Sequence, residues 1–222
     1  MKRLFFSLFT LVVLFGAITA TQSRLTSVVG TAPKPQSMAY LPSSERVKPL
    51  MIGYHETFSH YLWIRTVIYF GSQMMSEREL PWLIQMLDII TRLHPHFFPA
   101  YEFAGLLVPD LCGDPDAARV IMERGMIHLG ETRWNIPFIL GMLYYRYYDD
   151  YEMAARYFSL ASRIPGPHSQ RLATLSATFF HRSGRGTEGL ELLLLLYETS
   201  DNPEVRRHLG EKIEELVEEL KG

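Results

Sequence analysis

Residues 136–165 read IPFILGMLYYRYYDDYEMAARYFSLASRIP, and this stretch decides the fold. Two helical patterns lie on either side of Asp149, an aspartate at a tight turn. The first pattern carries Gly141, a small residue that lets two helices approach closely. The second places Ala154 and Phe158 four residues apart, on one face of a helix. The stretch therefore predicts a pair of packed helices.

The same pattern recurs along the chain. Small residues stand at Gly71, Gly105, Gly141 and Ala177, at spacings of 34, 36 and 36. After each comes a second helical pattern with its own apolar set. These sets are Leu83/Leu87/Ile90, Ala118/Met122/Gly125, Ala154/Phe158/Ala161 and Gly189/Leu193/Leu196. A two-helix unit cannot bury both of its faces alone, but stacked units can, so the pattern predicts stacked helix pairs.

Local signals predict where helices begin and end. Asp114 offers an N-cap, Gly184 can end a helix in the left-handed region, and Thr187 can cap the next helix. A last helix is predicted from Pro203 to about Leu220. Its two sides carry an apolar set, Leu209, Ile213, Leu216, Val217 and Leu220, and an acidic set, Glu211, Glu214, Glu215, Glu218 and Glu219. Such an amphipathic helix is typical of the cap that closes a repeat array.

The repeat pattern resembles the tetratricopeptide repeat family. In the clearest unit, residues 136–165, Gly141, Tyr144, Phe158 and Pro165 fall near the motif's positions, and the resemblance covers roughly residues 58–200. It implies an all-α, right-handed helix-turn-helix solenoid of about four helix pairs. A C-terminal capping helix would follow the pairs, and an N-terminal apolar helix would precede them. The lead-in to the repeats also resembles membrane-anchored bacterial proteins of this type.

Residues 1–20 have the layout of a membrane signal. Lys2 and Arg3 precede an uncharged stretch from Leu4 to Ala20. As a helix this stretch would span about 26 Å, at the short end for a hydrocarbon core of about 30 Å. We expect an uncleaved anchor in a cell (inner) membrane, with the C-terminal domain on the periplasmic or extracytoplasmic side. The alternative is a cleaved signal peptide and a secreted or periplasmic protein.

Residues 21–50 predict an extended tether. They contain four prolines, five serines and three threonines, with no sustained apolar period. A passive spacer is the favoured interpretation, and docking of residues 40–42 onto the domain as a strap is the alternative. The helical repeats are then expected over residues 51–202 and the capping helix over residues 203–222.

Composition excludes several classes of protein. The chain has 222 residues, 47% of them hydrophobic, which is enough for a buried core. A net charge of −2 argues against nucleic acid as a partner, and a single cysteine, Cys112, excludes a disulfide framework. His94 and His96 lack a nearby third metal ligand, and the aspartates near residue 114 fit capping better than calcium. We therefore expect no catalytic residue, metal site or cofactor.

The resemblance also implies a binding surface. In tetratricopeptide arrays the first helix of each pair lines the concave face. Carried over, this gives a partner-binding groove of Glu102, Leu106, Asn135, Phe138, Met142, Tyr145, Arg171, Thr174, Thr178 and His181. Asn135 and Arg171 could supply polar ends, and the other side chains differ from the Lys and Asn that clamp a terminal carboxylate, so the groove suits a helix or an extended segment. The tyrosines from Tyr144 to Tyr151 either pack between repeats or line this groove.

The sequence predicts a membrane-tethered scaffold that is not an enzyme. Its partners would be protein or peptide segments in the cell envelope, in the assembly of a secretion, pilus or transport complex. Residues 4–20 would provide the membrane contact, and the protein would bind no nucleic acid. The alternative is a structural subunit of an oligomeric envelope assembly, with copies stacked through an edge near Trp63 and Trp82. An enzyme or metal protein is the third hypothesis.

Overall fold

A computed structural model describes the protein at Leu14 and Thr19 and over residues 44–51, 53–75, 80–200 and 202–221. The predicted membrane signal, apart from those two helical positions, and residues 21–43 of the predicted tether lie outside the described residues. Contacts divide the chain into two units, Met1–Leu41 and Pro42–Gly222. The second unit holds the repeats.

The described part of the second unit is helical throughout, with no strand. Its helices are α1 (Ser44–Leu50), α2 (His55–Met74), α3 (Leu83–Leu93), α4 (Phe98–Leu111), α5 (Pro115–Leu129), α6 (Asn135–Tyr148), α7 (Tyr151–Ser162), α8 (Ser169–Arg182), α9 (Gly186–Thr199) and α10 (Pro203–Lys221). The predicted all-α class is confirmed. Within the described ranges, no helix combines the length and the apolar character needed to cross a membrane.

Helices that follow one another in sequence pack against one another. From α2 to α10, each helix contacts the next, and further contacts join α3 to α5, α4 to α6 and α8 to α10. The chain thus forms the pairs α2/α3, α4/α5, α6/α7 and α8/α9, followed by α10. This order of contacts is consistent with an all-α solenoid.

The core is built from the predicted apolar sets of the second helices. All of these twelve residues are buried except Leu196, which is partly buried. Phe158, Leu83 and Met122 have no solvent-exposed surface. The helical period read from the sequence therefore places the correct face of α3, α5, α7 and α9 inward.

Three of the four predicted small residues lie where helices meet. A Cβ atom on Gly141 would lie 2.7 Å from Cε1 of Phe158, and Gly105 and Ala177 are also buried. The prediction is wrong for Gly71, which is exposed and would have no atom within 4 Å of a Cβ. The reason is that α2 packs on the unit through another face, which carries Ser59, Leu62 and Thr66.

The helix ends follow the predicted aspartate and glycine signals. The carboxylate of Asp114 accepts a hydrogen bond of 2.9 Å from the backbone N–H of Ala117, and this caps α5. Gly184 has a φ of +80°, the left-handed conformation expected after α8. The predicted cap at Thr187 is wrong, because α9 already begins at Gly186 and Thr187 lies inside its first turn.

Part of the predicted tether is helical instead of extended. Residues 44–50 form α1, which packs against α3 and buries Val47 completely. Pro49 lies in the last turn of this helix. Burial of an apolar side chain offers the stabilisation that an extended spacer lacks.

The last helix, α10, has the predicted two-sided character. The backbone N–H of Glu204 donates a hydrogen bond of 3.0 Å to Oδ1 of Asn202 at its start. Leu209 and Leu216 are buried in one cluster with Ala177 of α8, and the five predicted glutamates are exposed. The helix covers the last pair and presents its charged side to water.

Candidate functional site

The predicted groove residues lie on α4, α6 and α8, the first helices of three consecutive pairs. None of the ten is buried: Leu106 and Arg171 are exposed, and the others are partly exposed. Residues beside them in sequence, such as Leu140 and Ala173, have no exposed surface. The three helices therefore each turn their predicted positions toward solvent.

Large, mostly aromatic side chains occupy the centre of this face and are partly buried there. Phe138, Met142 and Tyr145 of α6 pack against a buried cluster that includes Phe158 and Phe179. The rings of Tyr145 and Phe179 meet edge to face, with centroids 5.0 Å apart. The structure thus brings α6 and α8 together through these side chains, which leave an apolar floor at the surface.

The α8 part of the face is less polar than its composition suggests. The hydroxyl of Thr174 donates to the backbone carbonyl of Gln170 at 3.2 Å, and that of Thr178 donates to the carbonyl of Thr174 at 3.0 Å. With their hydroxyls bonded to their own helix, both threonines have methyl groups left for contact. His181 lies 3.3 Å from the carboxylate of Glu219, so α10 meets the end of this face.

An aromatic pair that the sequence analysis missed joins the starts of α6 and α8. Asn135 opens α6 and Arg171 lies in the first turn of α8. Just before them, the rings of Trp134 and His168 contact each other in a tilted arrangement, with centroids 4.4 Å apart. The two residues are 34 positions apart, close to the repeat spacing, and this was the signal that could have found them.

The tyrosine run divides between two surfaces. Tyr147 donates a hydrogen bond to Asp110 of α4, and Tyr148 donates one of 2.8 Å to Asp116 of α5. These hydroxyls join α6 to the preceding pair. Tyr145 instead packs with Phe138 and Met142 of α6 on a buried cluster. Tyr147 and Tyr148 therefore pack between repeats, and a groove role for Tyr145 stays a prediction.

Arg119 is the centre of a polar network beside these tyrosines. Its guanidinium donates to Glu123 at 2.9 Å and to Asp116 at 3.3 Å. Its Nε also donates to the hydroxyl of Tyr148 at 3.4 Å. Burial raises the pKa of Tyr144, whose hydroxyl donates to Glu123. Every charged group in the network has a partner of opposite charge. The network is therefore suited to stabilising the contact between α5 and α6.

The two histidines that flank Pro95 lie in different surroundings. His94 contacts the rings of His60 at 5.3 Å and Phe97 at 5.6 Å, whereas His96 contacts His128 at 5.7 Å. Within the described ranges, no group of three or more His, Cys, Asp or Glu is placed to hold a metal ion.

His94 should make stability depend on pH. Burial lowers its pKa, with Glu56 opposing and His60 and His96 adding to the effect. Because the unfolded chain then binds a proton more readily, stability should fall as pH drops below about 6.5. His94→Gln should flatten this fall in urea-unfolding midpoints between pH 7 and 5. A fall in the His94→Gln variant as steep as that of the unsubstituted chain would contradict the assignment.

Neither Cys112 nor the cavity beside α10 offers a reactive group. Burial raises the pKa of the Cys112 thiol, with Asp114 adding to the effect, so the thiolate is disfavoured. A cavity of about 420 Å³ lies between the turn before α8, the end of α9 and α10. The described side chains that line it, among them Gln170, Leu196 and Val205, carry no ionisable group.

The described surfaces differ in the groups that they offer. The face on α4, α6 and α8 offers apolar and methyl groups, and the paired ions elsewhere fasten helices together. Comparison with protein-family models, curated proteins and solved structures finds no match to this chain.

Proposed function

We propose that the protein is a non-catalytic, tetratricopeptide-like scaffold of the cell envelope that binds a segment of a protein partner. The binding surface is the face formed by α4, α6 and α8. The observation that supports this proposal is that none of the ten predicted groove positions on these helices is buried, whereas residues between them, such as Leu140 and Ala173, are buried.

The chemistry of the face indicates the kind of segment it accepts. Phe138, Met142 and Tyr145 provide an apolar centre, and Leu106 on α4 is 53% exposed beside it in the array. Glu102 and Arg171 add one charge of each sign. An amphipathic helix or an extended segment with spaced apolar side chains fits such a surface. Assembly of a secretion, pilus or transport complex is the setting that we propose.

The apolar stretch at residues 4–20 would hold this scaffold at the membrane. Two basic residues precede it, so the repeats would lie on the extracytoplasmic side. Intact-mass measurement of the protein from purified membranes tests this part. Retention of residues 1–20 supports an anchor, and a mass that corresponds to a chain beginning at Thr21 replaces it with a cleaved signal.

Site-specific photo-crosslinking in intact membranes tests the binding face. A photoreactive residue at Leu106 or Met142 should label one partner, identified by mass spectrometry. The same residue at Ile127 of α5, which is 80% exposed on a second helix, is the matched control. Met142→Glu should weaken labelling from position 106 at least tenfold, because it places a charge in the apolar centre.

Two outcomes would count against the proposal. Equal labelling from positions 106 and 127 would show that the face has no preference for a partner. If labelling from position 106 persists in Met142→Glu, the partner does not depend on the apolar centre for binding. Circular dichroism of each variant checks that the helices are retained.

A further inference from the structure

Helix α2 carries a line of large apolar side chains in water. Five residues on it or directly beside its ends are more than half exposed. They are Tyr54 (72%), Tyr61 (55%), Ile64 (58%), Ile68 (62%) and Met75 (91%). A second exposed group on α9, Leu194 (42%), Leu195 (58%) and Tyr197 (41%), is shorter and less exposed. A continuous apolar line of this kind marks an interaction site.

The spacing of this line is that of a coiled-coil seam. With the exposed Thr57 and Gly71, the line runs through positions 54, 57, 61, 64, 68, 71 and 75, in alternating steps of three and four. This is a seven-residue period sustained over three heptads. Ser59, Leu62 and Thr66 on the opposite side are buried. We call the exposed line the α2 seam.

We propose that a second copy of this chain docks on the α2 seam, with the two α2 helices antiparallel across a two-fold axis. When the antiparallel pairing is centred midway between Ile64 and Ile68, Ile64 of one copy lies against Ile68 of the second copy, and Ile68 lies against Ile64. The same register sets Tyr61 against Gly71 and Thr57 against Met75. In both outer layers a large side chain then meets a small one, so the seam is complementary to itself in size.

The size of the α2 seam suits such a contact. Helix α2 has 20 residues and is about 30 Å long. In the proposed register the contact takes Tyr61, Ile64, Val67, Ile68 and Met75. If each of these side chains has a full surface of about 180 Å², their exposed fractions amount to about 560 Å² per copy. Two copies would bury about 1,100 Å², just above the area of about 1,000 Å² that a specific interface should exceed.

The small number of charged residues near the α2 seam favours another helix, instead of a lipid surface, as the binding partner of the seam. Among the described residues from 54 to 75, Arg65 and Glu56 are the only Asp, Glu, Lys or Arg. Interfacial membrane helices usually carry several Lys or Arg beside their apolar face. In the proposed register the two copies of Arg65 lie near the axis, so Arg65→Gln should tighten the dimer, most of all at low salt.

Cysteine crosslinking of the full chain in detergent tests the register. In a Cys112→Ser background, Val67→Cys lies beside the axis and should join to itself through a short bis-maleimide. Met75→Cys should not join to itself, because two such residues would lie about 27 Å apart along the helices. A mixture of Thr57→Cys and Met75→Cys proteins should yield the mixed product. Self-linking of Met75→Cys, or no mixed product, would overturn the antiparallel pairing.

Sedimentation of the full chain in density-matched detergent tests the dimer itself. Ile68→Glu should raise the dissociation constant at least tenfold, while Ile127→Glu, the same change at an exposed position of α5, should leave it unchanged. A wild-type chain that stays monomeric at every concentration overturns the proposal, as does equal association of the two variants. The α2 seam is separate from the face on α4, α6 and α8, so either proposal can fail alone.

Discussion

Gly141→Leu is expected to lower the free energy of unfolding by about 2–3 kcal/mol. A Cβ atom at this position would lie 2.7 and 2.9 Å from two ring carbons of Phe158, and 3.2 Å from the backbone oxygen of Ala154. Phe158 has no exposed surface and contacts the rings of Phe138 and Phe179, so it has no free space into which it can move. A larger side chain must therefore separate α6 from α7.

Gly71→Leu is the matched control for this prediction. Both glycines lie inside helices and share one position of the predicted repeat, but a Cβ on Gly71 meets no atom within 4 Å. Replacing an exposed helical glycine should stabilise α2 by up to about 1 kcal/mol. Urea unfolding followed by circular dichroism measures both variants, at protein concentrations low enough to keep the chain monomeric because Gly71 lies on the α2 seam. Equal midpoints would contradict the close approach of α6 and α7.

Asp88→Ala is expected to cost about 2–3 kcal/mol, somewhat below the values for fully buried pairs. The carboxylate of Asp88 on α3 lies 2.7 Å from the guanidinium of Arg124 on α5. These side chains are only 21% and 16% exposed, and Arg92 donates to both oxygens of the same carboxylate. Removing Asp88 would leave a largely buried cation without its counter-ion.

A double-mutant cycle isolates this interaction. Arg124→Met in the Asp88→Ala background should recover part of the loss, because it removes the unpaired charge while keeping an apolar stem. Glu215→Ala, which breaks an exposed ion pair with Lys212 on α10, should cost less than about 1 kcal/mol. A coupling energy near zero between positions 88 and 124 would show that the pair does not stabilise the fold.

The sequence predicted the features that depend on local spacing. The buried faces of α3, α5, α7 and α9 follow from a helical period, and the cap at Asp114 follows from one side chain and the next turn. In each case the residue and its neighbours in sequence decide the outcome. The ten groove positions carried over from the tetratricopeptide resemblance lie on α4, α6 and α8, and none of them is buried, but their role stays a prediction.

The features that were missed depend on packing between distant positions. Gly71 fits the repeat spacing, but α2 turns a different face toward the unit, and one spacing cannot show that rotation. Residues 44–50 of the predicted tether are helical because this lets Val47 become buried where α1 packs against α3. The pair of Asp88 and Arg124 spans 36 positions, which is the repeat spacing itself. A search for opposite charges one repeat apart would have found it.

The order of contacts also bears on how the chain acquires its structure. Links between helix pairs join residues about one repeat apart, such as 36 positions for Asp88 and Arg124 and 38 for His181 and Glu219. Chains rich in such near contacts fold quickly, because little loop entropy is lost before each contact forms. Each pair can therefore settle soon after the next has left the ribosome or crossed a membrane, and α10 would be the last to dock.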